Sequence, residues 1–306
     1  MKKRVGLVLL ASVLLMMLVV ALSKYASTRT PAKGTAPSLA ASVAQESAAE
    51  AMAPDVDETE TANASEIAKQ NLKLFFGKDD RVFIPAPYAP PYAAIGKMET
   101  VGETRCTATL VAPDLAVTAA HCFLMTPHKI DQGKWFWAGY HQGKWQARYQ
   151  VETQVFNPKF RQGLDYKGDD VYIRPRVARY DIAWLKLKFV DGVAPAPMSL
   201  YTGNHPDDLL AQIHRYDSKV TQAGFAHDHN ELLTAHKGCM VTALVDNNTL
   251  EHRCDTLSGD SGSPLWLNTE NGPMLVAVQS SAPDWFNRAK ADNTAVTVLQ
   301  LPKKPQ

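Results

Sequence analysis

Cysteine is scarce in this chain: four residues in 306, at positions 106, 122, 239 and 254. None forms a C-x-x-C pair and no paired histidine spacing accompanies them, which speaks against a zinc site. An excess of charge of one sign is missing as well. The net charge of +1 gives no reason to expect nucleic acid or an acidic partner. After Val5–Leu22 there is no second long apolar run, so only one segment approaches the length of a membrane span. No metal or organic cofactor is implied. Apolar residues are plentiful, at 45% of the chain, and can bury a substantial core.

Met1-Lys-Lys-Arg4 is basic and Val5–Leu22 is almost unbroken in its apolarity. A basic start before an apolar run is the pattern of an export signal. Ala21-Leu22-Ser23 supplies small residues for cleavage, which predicts a signal peptide over residues 1–23. The run also reaches the lower limit for a spanning helix, so an uncleaved signal-anchor fits equally. In either case the positive end stays cytoplasmic and the rest of the chain lies beyond the inner membrane. The expected location is periplasmic or secreted, with anchoring to the inner membrane if residues 5–22 are retained.

Residues 24–77 read as a disordered linker or pro-segment. Up to about position 64 they are rich in Ala, Ser, Thr and Pro, with an acidic patch at Asp55–Glu60, and such a composition buries too little apolar surface to order itself. Glu66–Phe76 can form a short helix at its end. Asn63-Ala-Ser65 and Asn247-Asn-Thr249 match the glycosylation acceptor pattern and carry no weight alone.

Export to an oxidising compartment makes disulfides the default state of the cysteines. Four cysteines allow three pairings. The near pairs Cys106–Cys122 and Cys239–Cys254 are favoured, each closing a short loop worth roughly 3 kcal/mol in the chain-entropy model. His227, His229 and His236 cluster in "GFAHDHNELLTAH", read as a surface loop in preference to a metal site.

From Val82 onward, short apolar stretches alternate with Gly, Pro, Asn and Asp. Strands are expected at Tyr92–Gly96, Thr107–Val111, Leu115–Thr118, Trp135–Trp137, Ala147–Phe156 and Ile182–Leu187. More follow at Lys219–Ala223, Cys239–Val245, Pro264–Leu267, Leu275–Val278 and Ala295–Leu301. This spacing predicts an all-β sandwich or barrel. "QGKW" occurs at 132–135 and 142–145, as if on two arms of one hairpin. Pro206–Ile213 is the one helical piece in this region.

The stretch "CDTLSGDSGSPLW", Cys254–Trp266, crowds serines, aspartates and glycines ahead of an apolar strand. A serine hydroxyl needs a base to take its proton, an orienting partner for that base, and N–H donors for the developing oxyanion. The Gly259–Gly262 turn can supply the donors, from Gly259 and Ser261, while Ser258 and Ser263 suit local hydrogen bonds. In "TAAHC", His121 directly follows an apolar strand and directly precedes Cys122. Asp181 opens the apolar stretch "DIAWLKLK" and suits the orienting role. Asp165, Asp169 and Asp170 lie in a polar stretch and read as solvated.

"TAAHC", "DIAWLKL" and "GDSGSP", in the order His, Asp, Ser, resemble the chymotrypsin-like serine peptidases. The likeness spans about residues 78–302. It is similar to their bacterial secreted branch, the V8-like or glutamyl endopeptidase-type group, and within it to enterobacterial periplasmic trypsin-like proteins. The resemblance implies two antiparallel β-barrels with the active site in the cleft between them, the first over about 82–190 and the second over about 191–302. It implies His121, Asp181 and Ser261 as catalytic residues of a serine endopeptidase acting on peptide or protein substrate through an acyl-enzyme. It also implies that Ser280, Ser281 and Ala282 bind the substrate backbone as an edge strand. A catalytically silent peptide-binding module and an esterase on the same triad are the alternatives.

Two readings of specificity stay open. Thr256 matches a threonine used by glutamate-specific relatives, but Gln279 stands where they carry a histidine, and an amide brings no charge to a substrate acid. Asp255 stands where trypsin-like enzymes carry the acid that pairs with substrate Arg or Lys; it could also point outward. Asp260 raises the question of maturation, because trypsin-like enzymes pair this acid with a freed N-terminal amine. Arg81–Val82 is a candidate cleavage point for making one.

Overall fold

The computed structural model describes residues 58–305, apart from 126–128, 168–169 and 246–247. The expected export signal and the linker up to position 57 lie outside the described residues. Among the described residues, no helix is long and apolar enough to cross a membrane.

Helix α1, Glu58–Leu74, begins eight residues before the expected Glu66 start and stops two before the expected end. Its composition explains the extension: Ala, Glu, Lys, Gln and Leu dominate, with no Gly or Pro inside. It ends where Gly77, at φ +98°, returns its N–H to the Leu72 carbonyl at 2.7 Å. The part of the expected linker from Glu58 to Leu74 is therefore helical. Phe75 just beyond is buried, packed with Ala226 and Leu257, so it too belongs to the folded body.

Strand β1, Arg81–Phe83, comes next. The first barrel follows with β2 (Ile95–Thr100), β3 (Arg105–Ala112), β4 (Leu115–Thr118), β5 (Gly133–Ala138), β6 (Ala147–Phe156) and β7 (Ala183–Gly192). Their order around the closed barrel is β7-β4-β3-β2-β5-β6, with β6 pairing back to β7. Inward side chains such as Met98, Leu110, Val117, Phe136, Tyr149 and Leu185 fill it. The polar–apolar alternation of β6 matches its two faces.

Helix α2, Pro206–Arg215, leads to the second barrel. This consists of β8 (Lys219–Gly224), β9 (Thr234–Val245), β10 (Thr249–His252), β11 (Pro264–Thr269), β12 (Gly272–Ser281) and β13 (Asn293–Thr297). The ring runs β9-β8-β11-β12-β13-β10 and closes by the β9–β10 pairing. Val220, Val241, Leu250, Leu265, Val276 and Ala295 fill its interior. All the ring pairings are antiparallel, so the fold is the expected pair of antiparallel β-barrels. Tyr92 meets Trp266 edge-on at 5.8 Å, joining the approach to β2 with the second barrel.

Several local expectations shift. Tyr92–Ala94 is a 3-10 turn, and the strand starts at Ile95. The last apolar stretch leaves the sheet after Thr297 and finishes as a 3-10 turn, Val298–Gln300. The first "QGKW" enters β5, but the second lies in the loop between β5 and β6, where His141 bridges to Lys144. β1 pairs with β9 of the second barrel, in the register Arg81↔His236, although it precedes the first barrel in the chain.

Candidate active site

His121 sits in a 3-10 turn, Ala120–Phe123, at the end of β4. The Cys106–Cys122 disulfide ties this turn to β3, and Cys239–Cys254 ties β9 to the segment leading to Ser261. Asp181 lies just before β7, with no exposure to solvent. Its Oδ1 accepts the His121 backbone N–H at 2.7 Å, and its Oδ2 lies 2.7 Å from His121 Nδ1. The opposite ring nitrogen, Nε2, is 2.8 Å from Ser261 Oγ. The three side chains therefore form one continuous hydrogen-bonded chain across the two barrels. Burial disfavours the His121 imidazolium, but the charge and hydrogen bond of Asp181 outweigh it and raise the pKa above the ordinary histidine value.

The loop bearing Ser261 is held against the first barrel. Thr107 N–H donates to the Ser261 carbonyl at 2.9 Å. Gly262, at φ +79°, has room for no side chain: a Cβ there would lie 2.2 Å from Thr118 Oγ1 and 2.4 Å from the Thr107 carbonyl oxygen. Gly259 is similarly constrained, at φ +95° with its Cβ position 2.5 Å from the Phe225 carbonyl oxygen. Asp260, Gly262 and Ser263 spend their N–H groups on Leu257, Gln279 and Asp260 carbonyls. Among the described residues, the N–H groups of Gly259 and Ser261 donate to no protein acceptor.

The residues expected around the substrate are placed differently from one another. Ser280 turns its hydroxyl to Asp181, donating to Oδ2 at 2.5 Å, so it supports the carboxylate. Ser281 and Ala282 are exposed at the end of β12, beyond the last β11 pairing at Val278. Thr256 Oγ1 is buried and donates to Asp260 Oδ2 at 3.1 Å. Gln279 is buried, its Nε2 donating to the Ser281 carbonyl at 3.0 Å.

Asp255 is neither solvated nor open to a substrate cation, because it is 1% exposed and already bonded. Its Oδ2 accepts the Asp80 N–H at 2.7 Å and lies 3.1 Å from His236 Nδ1. The Asp255 N–H in turn donates to the same His236 nitrogen at 3.0 Å. Asp80, His236 and Asp255 offer ligand atoms within 4.8 Å of one another, but these hydrogen bonds already occupy the His236 and Asp255 atoms. No sequence pattern paired Asp80 or His236 with Asp255: Asp80 comes from β1's approach, and His236, expected in a surface loop, lies in β9 with its side chain largely buried.

Asp260 is buried beneath the loop. Its Oδ2 accepts from Leu257 N–H at 3.0 Å as well as from Thr256, while Oδ1 has no partner among the described residues. Burial pushes its carboxyl up to about 6.

Two antiparallel barrels joined at a cleft define a chymotrypsin-like serine peptidase fold. The chain belongs to the trypsin family, whose model, described as Trypsin, matches residues 86–298. A solved Glu endopeptidase is similar at 19% identity, covering 72% of this chain and 93% of its own, with a TM-score of 0.55. A thermostable serine protease from an extremophilic microorganism is similar at 16% identity over 69% of this chain and 92% of its own, with a TM-score of 0.46. A protease of Arthrobacter nicotinovorans shows 15% identity over 70% of this chain and 93% of its own, at 0.47. At 19% identity the likeness to the Glu endopeptidase speaks for the fold alone. Family membership supports a hydrolytic serine-protease function in general.

Proposed function

We propose that the protein is an exported serine endopeptidase in which Ser261 is the nucleophile, His121 the proton carrier and Asp181 its orienting partner. The carrying observation is the unbroken chain from Asp181 Oδ2 through both ring nitrogens of His121 to Ser261 Oγ, with links of 2.7 and 2.8 Å. Ser261 Oγ attacks the scissile carbonyl as His121 Nε2 takes its proton. Asp181 holds the tautomer with the proton on Nδ1 and stabilises the imidazolium that forms. The free N–H groups of Gly259 and Ser261 receive the oxyanion. Collapse expels the amine, which takes the proton from His121, and water then attacks the acyl-enzyme with His121 again as base.

A periplasmic or secreted location is supported by the export pattern at residues 1–23 and by the two disulfides. Peptides or proteins are the substrate class, and Ser281 and Ala282, beyond the last β11 pairing on one edge while Ser281 pairs with Thr294 of β13 on the other, suit pairing with an extended substrate backbone. Engagement of Asp255 by Asp80 and His236 argues against a basic-selective pocket built on that carboxylate.

The test is hydrolysis of a peptide mixture by the full chain and by Ser261→Ala. Cleavage by the wild type that falls on the order of 10⁶-fold in the variant supports the reading. Cleavage that survives the substitution, or a wild-type protein that cuts nothing, sinks it.

A further inference from the structure

A recess of about 170 Å³ opens beside Gly259, lined by Ser258, Gly259, Phe225 and His227 from the second barrel and by Lys97 and Arg105 from the first. It lies on the side of the Cys106–Cys122 disulfide, Cys106 itself forming part of its wall. Thr107, whose N–H is bonded to the Ser261 carbonyl, is two residues from Arg105 along β3. At ~3.3 Å per residue, Arg105 stands roughly 7 Å along the strand from that bond. Residues two apart along a strand present their side chains on one face, so Arg105 follows Thr107 along the cleft.

The charges in this recess are one-sided. Lys97 and Arg105 are the charged side chains lining it beside His227, and no carboxylate lines it. Lys97 is buried with its Nζ 2.8 Å from Glu231 Oε1, and Glu231 also accepts from the Tyr140 hydroxyl. Burial pushes the Glu231 carboxyl up, but Lys97, Tyr140 and the charge of Arg105 outweigh it and hold the group below its ordinary range. Arg105 is exposed and, among the described residues, makes no ion pair within 4.0 Å, although its charge acts on the Glu231 carboxylate. Glu99 on β2 is the direct cross-strand neighbour of Arg105 and, with Glu231, lines a wider continuation of the groove, of about 350 Å³, without reaching ion-pair distance of Arg105. Arg148, also in that continuation, is paired with Asp191 at 2.6 Å.

We propose that this recess binds the side chain of one of the first two residues after the scissile bond, and that Arg105 makes it select an acidic one. This rests on the peptidase reading of the same cleft. With one half of the peptide paired at Ser281 and Ala282, the recess that begins at Gly259 and runs toward Cys106 is left for the other, which is the leaving half in this proposal. An exposed guanidinium not committed to an ion pair attracts an incoming Asp or Glu and repels Lys or Arg, and the neighbouring Glu99 and Glu231 temper that preference. Because the site is open to solvent, the preference is modest and weakens with salt.

The experiment exposes the full chain to a proteome-derived peptide library and reads the cut bonds by mass spectrometry. Asp and Glu are expected to be enriched over Lys and Arg by about fivefold at one of the first two positions after the cut. Arg105→Glu reverses that ratio and Arg105→Lys keeps its direction; being a ratio within one sample, it is insensitive to how much protein folds. Cut bonds without acidic enrichment at either position, or an enrichment unchanged in Arg105→Glu, overturn the proposal. A second arm is independent of hydrolysis: binding of fluorescein-labelled octapeptides beginning Ala-Asp-Asp or Ala-Lys-Lys to the Ser261→Ala protein. Tighter binding of the acidic peptide, lost with Arg105→Glu, upholds the recess even if no bond is ever cut, whereas equal binding overturns it.

Discussion

Ser280 donates its hydroxyl to Asp181 Oδ2 at 2.5 Å, the same oxygen that faces His121 Nδ1. The buried carboxylate thus has its oxygens held from three directions, by Ser280, by the His121 ring and by the His121 backbone N–H. Replacing Ser280 with Ala removes one charge-assisted bond that fixes the carboxylate's orientation. The expected outcome is a fall in kcat of about tenfold, the low end for a hydrogen bond to a charged group, with little change in KM for a small ester. Steady-state kinetics on such an ester checks it, and an unchanged kcat contradicts it.

His121 must be neutral at Nε2 to accept the Ser261 proton. Asp181 raises its pKa above the ordinary histidine value despite burial. Activity is therefore present at alkaline pH and lost as the pH falls through that raised pKa, where the imidazolium forms. A profile of kcat/KM against pH should show its acid-side midpoint above that of a free histidine. A midpoint below it would contradict the Asp181 contact.

Asp260 carries a cost at neutral pH. Its folded pKa of about 6 exceeds the unfolded value. Between roughly pH 4 and pH 6 the native state keeps a proton that the unfolded chain has released, so this group's contribution to stability declines as pH rises. Asp260→Asn is expected to be more stabilising at pH 8 than at pH 5, by on the order of 1–3 kcal/mol. Urea unfolding at the two pH values measures it. Equal effects at both values would show that Asp260 finds a cationic partner in the mature protein.

The Arg81–Val82 bond lies inside β1, hydrogen-bonded to β9. The Arg81 side chain is 4% exposed, bonded to Asp79 at 2.8 Å and to Asp228 at 2.6 Å, and it stacks on Phe75 at 4.3 Å. A protease would have to peel this strand away to cut there. Active protein is therefore expected to keep this bond, with an N-terminus upstream of Val82, as Edman sequencing would read. Arg81→Ala should cost on the order of 2 kcal/mol, since both carboxylates are partly exposed. An active form beginning at Val82 would contradict this.

Much of the site was legible because its chemistry is written in contiguous residues. The strand before His121, the apolar run after Asp181 and the small residues around Ser261 each reveal a local conformation, and the two short cysteine spacings matched the disulfides. What stayed hidden depends on contacts between distant segments. Asp80 and His236 are remote from Asp255 in sequence, and nothing local marks them as its partners. Ser280 sits in a stretch expected to face substrate, yet it falls in a register shift between Gln279 and Ser281 and its hydroxyl meets Asp181. β1 joins the second barrel across the whole first one, and β10 is too short and too close to the asparagines at 247–248 to stand out as a strand.

The most direct measurement is reaction of the full chain with a serine-directed phosphonate, followed by peptide mapping. One covalent adduct is expected, on Ser261, and it is abolished in His121→Ala. A folded wild-type protein left unlabelled at Ser261, or labelled there equally well without His121, would contradict it.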